Sequence, residues 1–288
     1  MSMPDRLVLI LGAGRSGTSA LARLLGLCGG TLPEPLLGAA PSNPKGHFEP
    51  LEALKLNEAI LARRGSCWYD PSPALAARGS WSAEQSPEEI ERIAALLAGW
   101  PRHGLVVVKE PRISELAPLW LTAAARSGRE VSVVVALRHP RAMAASLVRR
   151  DGVGEDLALL LWLKYLLLAE RSSRGARRVF VDWPALLADW RGQVARIGTA
   201  LDLPLAPANP AEIDAFLDPA LSQDVPQALA HPVLPLAQAW REFSAAATDR
   251  PLNQGVLDSL YRWLVAMDGV FGTTARDYQQ RFAPAVQA

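Results

Sequence analysis

The residues with the clearest chemistry lie near the start of the chain, in the stretch "LVLILGAGRSGTSALARLL" over positions 7–25. Gly12, Gly14 and Gly17 fit the dinucleotide pattern G-x-G-x-x-G. Gly12 and Gly17, followed by Thr18 and Ser19, nearly fit the P-loop pattern G-x-x-x-x-G-K-[ST], with threonine in the lysine position. Both templates describe anion binding, in which the N–H groups of a glycine-rich turn and the first turn of a helix point at a phosphate-like group. Two later valine-rich runs end in cations, Lys109 after "LVVV" and Arg138 after "VSVVVAL". Lysine is scarce, at Lys45, Lys55, Lys109 and Lys164 among 30 basic residues, so a lysine at a strand end is a marked choice. Ligands in open parallel sheets bind beyond strand C-termini. Cations there would hold a multiply charged anion without needing a metal.

Four apolar runs must position these groups: 7–11, 105–108, 131–137 and 178–181. They are valine-rich and do not alternate, the pattern of parallel strands covered on both faces. Helical patterns lie between them, near 17–27, 51–63, 114–127, 140–150, 155–173 and 184–201. In "SPEEIERIAALLAGW" Ser86 suits the cap, Pro87 the first turn, and Glu89 completes a capping box. Ile90, Ile93, Ala94 and Leu97 form its apolar stripe, and Gly99 suits its end. The alternation predicts a three-layer α/β fold with a mostly parallel central sheet. From about residue 202 the chain becomes proline-rich, and helices near 235–247 and 253–268 follow. We read a single domain over 1–288, with a core over about 6–205 and a helical extension over about 206–288.

Composition narrows the function classes. The 288 residues are 50% hydrophobic and 20% charged, enough to bury a sizeable core. A net charge of +1 gives no bulk attraction to nucleic acid, so local clusters must carry any anion binding. Cys28 and Cys67 form neither a metal-ligand spacing nor a disulfide framework. The run at 7–11 is short for a signal segment, and the stretch over 157–168 is short for a membrane span and holds Lys164. A cytoplasmic protein without a metal, a membrane span or a nucleic-acid partner is expected.

The dinucleotide template requires a second strand about 20 residues on, ending in an acid for the ribose. The sequence there is "CGGTLPEPLLGAAPSNPKG", with Glu34 between two prolines and no strand-like run before it. The triphosphate template requires the missing lysine and a magnesium-binding acid after a later strand. Only "RVFV" ends in an acid, Asp182. A P-loop kinase or nucleotide hydrolase stays open as an alternative, as does a non-catalytic nucleotide-binding module of the same fold.

The chain resembles the sulfotransferases that use 3′-phosphoadenosine 5′-phosphosulfate, in particular their bacterial branch. Their loop for the 5′-phosphosulfate is similar to "GAGRSGTS" at 12–19. Their 3′-phosphate motif carries an arginine and, eight residues on, a serine, matched by Arg138 and Ser146 in "LRHPRAMAASLVRRDG". "NPKGHFE" at 43–49 and "VVKEPR" at 107–112 also match, although the family more often has aspartate at position 110. "FVDWPALLADWRGQVARIGTALDLPL" at 180–205 is similar to a segment near the end of the family's core. The resemblance covers roughly 6–205, with the motifs in order.

It implies transfer of a sulfuryl group to a hydroxyl or amine, releasing adenosine 3′,5′-bisphosphate, by in-line displacement resting on positioning and electrostatics. Nucleotide binding would fall to Gly14, Arg15, Ser16, Gly17, Thr18 and Ser19 at the 5′ end, and to Arg138 and Ser146 at the 3′-phosphate. Lys109, with Arg15, would stabilise the leaving group. Glu49 is the first candidate for general base, since tyrosylprotein sulfotransferases use a glutamate after the loop; His47 is the second, since cytosolic relatives use histidine. An extended segment would point both the same way. Glu49 could instead serve the N-terminus of the helix after Pro50, and Lys109 could pair with Glu110 or Glu115. The acceptor, whether small molecule, glycan, lipid or peptide, stays open. Trp68 and Trp81, in a Pro-, Gly- and Ser-rich stretch, suggest an acceptor-side lid.

Overall fold

The computed structural model describes residues 5–41, 43–217, 228–231 and 234–282. Four strands, β1 (Arg6–Leu11), β2 (Leu105–Lys109), β3 (Glu130–Leu137) and β4 (Arg177–Asp182), form one parallel sheet in the order β2-β1-β3-β4. β1 is central, with Leu9 opposite Val108 on one side and Val133 on the other. All strands run the same way, so the loop after β1, Lys109, Arg138 and Asp182 emerge at one edge of the sheet.

Helices cover both faces, which explains why the strands read as unbroken apolar runs. Leu7, Leu9, Leu11, Val133, Val135 and Leu137 face a large core. This core is shared with α2 (Leu51–Arg63), α4 (Pro87–Ala98), α5 (Ile113–Arg126), α6 (Pro140–Asp151) and α7 (Glu155–Ser172). Val8, Ile10, Val134 and Ala136 face the opposite way, onto α1 (Thr18–Leu27), α8 (Trp183–Ala188), α9 (Trp190–Leu201) and α10 (Pro210–Phe216). The result is the three-layer α/β architecture that the alternation of runs predicts. A short α3 (Ala74–Ala77) lies within the irregular stretch between α2 and α4.

Two local expectations need correction. The pattern over 184–201 is two helices, because Asp189 leaves helical geometry and its carboxylate accepts the Gly192 N–H at 2.9 Å, capping α9 afresh. The capping box at Ser86 does not form: the hydroxyl donates to the Ser80 carbonyl, and the Glu89 carboxylate accepts from Arg63. Gly99 does end α4, as expected, in a right-handed conformation.

The extension packs on the larger core through α11 (Leu236–Ala246) and α12 (Gln254–Phe282), the latter longer than its apolar pattern. Phe243 is fully buried, with its ring 6.2 Å from both Phe180 and Trp162. Within the proline-rich stretch, residues 218–227 and 232–233 lie outside the described residues. Among the described residues, no helix is long and apolar enough to cross a membrane. Replacing Phe243 by alanine opens a cavity where β4, α7 and α11 meet, and urea unfolding should report a loss of about 3–5 kcal/mol.

Candidate active site

The turn between β1 and α1 is shaped by contacts that allow no side chain. Gly12 has φ +125°, and a Cβ there would sit 2.6 Å from the Ala136 carbonyl oxygen of β3. Gly17, at φ +85°, caps α1, and a Cβ there would strike the Trp183 ring at 2.5 Å. Ser114 at the start of α5 pins the turn, accepting the Gly12 N–H at 2.8 Å and donating to the Gly12 carbonyl at 3.1 Å. Gly14, Thr18 and Ser19 line a cavity of about 280 Å³ at the N-terminus of α1. Ser16 is buried in the same turn, its hydroxyl without a hydrogen-bond partner. The geometry is that of an anion cradle.

Arg15 sits in the left-handed region at φ +68°, a conformation that a non-glycine residue holds only when its surroundings enforce it. Its Nε donates to Ser146 Oγ at 3.1 Å, and Arg138 Nη1 donates to its carbonyl at 3.2 Å. The arginine–serine pair eight residues apart therefore converges on the loop, because α6 begins just after Arg138 and carries Ser146 two turns along. Burial, with repulsion from Arg150, Arg138 and Arg149, pushes the Arg15 guanidinium below its ordinary value; Asp151 opposes this. Such a cluster favours a multiply charged anion.

Lys109 and Glu49 form a buried ion pair, 3% and 5% exposed. The ammonium also donates to Ser19 Oγ at 3.2 Å and to the His47 carbonyl at 3.3 Å, tying β2 to the loop and to 47–49. This replaces both alternative partners: Glu110 bonds Asn57 and Arg112, and Glu115 bonds Lys164. Glu49 precedes α2, whose cap position is Pro50, and its side chain turns to the lysine rather than to the helix N-terminus. His47 Nδ1 lies 4.0 Å from Glu49 Oε1. The two do share a side, but through a left-handed Phe48 at φ +55° rather than an extended strand. Burial lowers the His47 pKa, with Lys109, Arg150 and Arg15 adding and Glu49 opposing, so its imidazole is neutral at pH 7.

The cavity is also lined by Asn43, Lys45, Arg150, Trp183 and Phe216, which the sequence reading did not select. Lys45 lies in "NPKGHFE", and Arg150 follows Ser146 by four positions, on the same helix face. Those spacings were the available signals; nothing local marks Trp183 or Phe216. Asp182 lines neither this cavity nor the adjoining one of about 280 Å³. The second cavity shares Gly14, His47, Glu49, Pro111 and Arg150 with the first and is otherwise walled by Leu37, Leu54, Trp68, Met143, Leu147 and Leu161, among others. Trp81 is buried in the core instead. Trp68 belongs to a fixed wall: its carbonyl accepts from Tyr165 at 2.6 Å, and the nearby Asp70 carbonyl from Lys164 at 2.7 Å.

Behind Lys109, Glu110 is wholly buried. It accepts from Asn57 at 2.7 Å and from Arg112, while Trp120 donates to Asn57 at 3.0 Å and Arg112 to Glu58 at 2.7 Å. This network braces α2 and α5 against the strand end that carries the lysine.

No family model matches the chain, and no curated protein matches it. Solved structures do. A sulfotransferase domain from the Synechococcus PCC 7002 olefin synthase aligns with a TM-score of 0.50 at 19% identity, covering 84% of this chain and 96% of that one. A sulfotransferase domain from the curacin biosynthetic pathway aligns at 0.47 and 15%, covering 88% and 100%. Sulfotransferase STF1 from Mycobacterium tuberculosis H37Rv aligns at 0.41 and 16%, covering 85% and 78%. The first of these likenesses shows that the chain has a sulfotransferase-like, P-loop-like α/β fold.

Burial, with the charge of Glu49 adding, pushes the Glu110 carboxyl up to about 7 from its ordinary 4.5; Arg112 and Asn57 pull the other way. Between pH 4.5 and about 7 the folded chain thus holds a proton that the unfolded chain has released, so Glu110 makes stability fall as pH rises through that window. Glu110→Gln removes this dependence. The stability of the variant minus that of the wild type, from urea unfolding, should rise between about pH 5 and about pH 7.5; a constant difference would contradict it.

Proposed function

We propose that the chain is a sulfotransferase that moves a sulfuryl group from 3′-phosphoadenosine 5′-phosphosulfate to a hydroxyl, or an amine, without a metal. The observation that carries this reading is Lys109, which lines the first cavity between the anion cradle and Glu49, the carboxylate that also lines the second. The cradle suits such a donor: its glycines leave backbone exposed to an anion, Ser16 offers a buried unpartnered hydroxyl, and Arg15, Arg138, Arg150 and Lys45 line one cavity. The donor supplies a sulfuryl group on a phosphate leaving group.

In this reading Gly14, Arg15, Ser16, Gly17, Thr18 and Ser19 hold the 5′ end, and Arg138 and Ser146 the 3′-phosphate. Glu49 takes the proton from the acceptor hydroxyl, with the neutral His47 beside it as the alternative base. The acceptor oxygen bonds to sulfur while the bond from sulfur to the phosphate oxygen breaks, its electron pair staying on the phosphate. Lys109, with Arg15, neutralises the charge that builds there. An anionic donor also gives Lys109 a second partner, which loosens its hold on Glu49 as the base is needed. The thiols of Cys28 and Cys67 are free, in keeping with a cytoplasmic setting.

Calorimetric titration tests the nucleotide. Adenosine 3′,5′-bisphosphate should bind without magnesium and ADP much more weakly; ADP or ATP binding only with magnesium would overturn the assignment in favour of a kinase. In Lys109→Ala, kcat should drop by about 10²–10³ with nucleotide affinity largely kept. The variant leaves Glu49 buried without its partner, at a cost of about 3–5 kcal/mol, so its thermal unfolding is recorded beside the kinetics.

A further inference from the structure

The second cavity gives the acceptor a chemical class. We propose that it receives the body of an uncharged, apolar alcohol or phenol and excludes sugars and anionic acceptors. The inference rests on the sulfotransferase reading for the reaction, but the binding preference follows from the cavity itself.

The cavity lies among α2, α6, α7 and the segment at 67–70. Leu54, Met143, Leu147 and Leu161 supply aliphatic surface, and Trp68 an aromatic face. Away from His47 and Glu49, its polar wall groups Tyr165, Arg112 and Arg150 each hold a partner, although the buried Arg112 Nε has none. Tyr165 donates its hydroxyl to the Trp68 carbonyl at 2.6 Å. Arg112 bonds Glu110 and, at 2.7 Å, Glu58. Arg150 bonds Asp151 at 2.6 Å and lies over the Trp68 ring at 5.5 Å. A sugar placed here would bury more hydroxyls than the wall can partner, and a carboxylate would compete with Asp151 for Arg150 and with Glu110 and Glu58 for Arg112. An apolar body loses nothing polar on entry.

The exception is the wall shared with the nucleotide-side cavity, where His47 and Glu49 stand. One hydroxyl aimed at that wall meets the proposed base, while the rest of the molecule meets Leu54, Met143, Leu147, Leu161 and the Trp68 ring, with the paired Arg150 and Asp151 at one side. At about 280 Å³ the space matches the lower end of small-molecule sites, roughly 300 Å³, which favours one or two rings or a medium alkyl chain. The wall is also preorganised. Lys164, wholly buried and paired with Glu115 at 2.6 Å, holds the Asp70 carbonyl, so the segment that carries Trp68 is fixed before any ligand arrives.

The test uses β-naphthol, octanol, methyl glucoside and a tyrosine-containing acidic peptide on the full chain. Binding is followed by calorimetry in the presence of adenosine 3′,5′-bisphosphate, and transfer by label from the sulfated donor. β-Naphthol and octanol should bind, and their kcat/KM should exceed that of the glucoside and the peptide by at least about tenfold. Leu54→Trp, at a half-buried position, should fill the cavity and raise the β-naphthol Kd and KM by about tenfold or more, with nucleotide affinity unchanged. Leu37→Trp serves as a second variant where the first fails to fold. A glucoside or peptide that outperforms β-naphthol, or β-naphthol binding that neither substitution weakens, would overturn the proposal. If β-naphthol binds and is displaced by Leu54→Trp while the nucleotide does not bind, the apolar site stands and the sulfotransferase reading falls.

Discussion

An ammonium at 3% exposure cannot stay charged without a counter-ion inside the fold, and at the end of β2 that counter-ion is Glu49. Much of the site's arrangement follows from satisfying this one buried charge. The segment at 47–49 must come in from the far side of the loop to meet β2, and it does so through a left-handed Phe48. The Glu49 backbone is anchored in turn, its carbonyl accepting from the Leu37 N–H at 2.7 Å before α2 begins. Ser19, on the first turn of α1, supplies a further acceptor to the lysine. One ion pair thus fixes the spacing between anion cradle, strand end and candidate base.

The cradle depends on a second constraint, the approach of two backbones. Gly12 lies so close to the Ala136 carbonyl that no Cβ fits between the end of β1 and β3, and at Gly17 the Trp183 ring leaves no room for one. Repulsive cations are then gathered around the opening, held by hydrogen bonds from the loop itself, as when Arg138 binds the Arg15 carbonyl. The charge cluster, with Asp151 paired to Arg150, is held at the sheet edge by this scaffold, which suits a site whose partner is an anion.

The strands, the three-layer arrangement and the cradle were legible because each depends on local pattern: apolar runs, glycines at fixed offsets, and cations where the runs end. Arg138 was legible as a cation at a strand end, but Ser146 and its pairing with that arginine only by likeness, since no local rule says that the two converge on Arg15. Lys164 shows what pattern alone misreads. In sequence it interrupts an apolar stretch, whereas in the fold it is wholly buried against Glu115, 49 residues away. Ser86 and Glu89 fit a capping box, but Ser80 and Arg63 outcompete the helix N-terminus for them. Trp183 and Phe216 reach the first cavity through contacts far apart along the chain, which one sequence does not encode at any short spacing.

Arg150 lines both cavities while resting on Trp68 and pairing with Asp151. An occupant of either space that drew this side chain away from Asp151 and Trp68 would change the wall it presents to the other. Any free energy so exchanged would be the same whichever occupant arrived first.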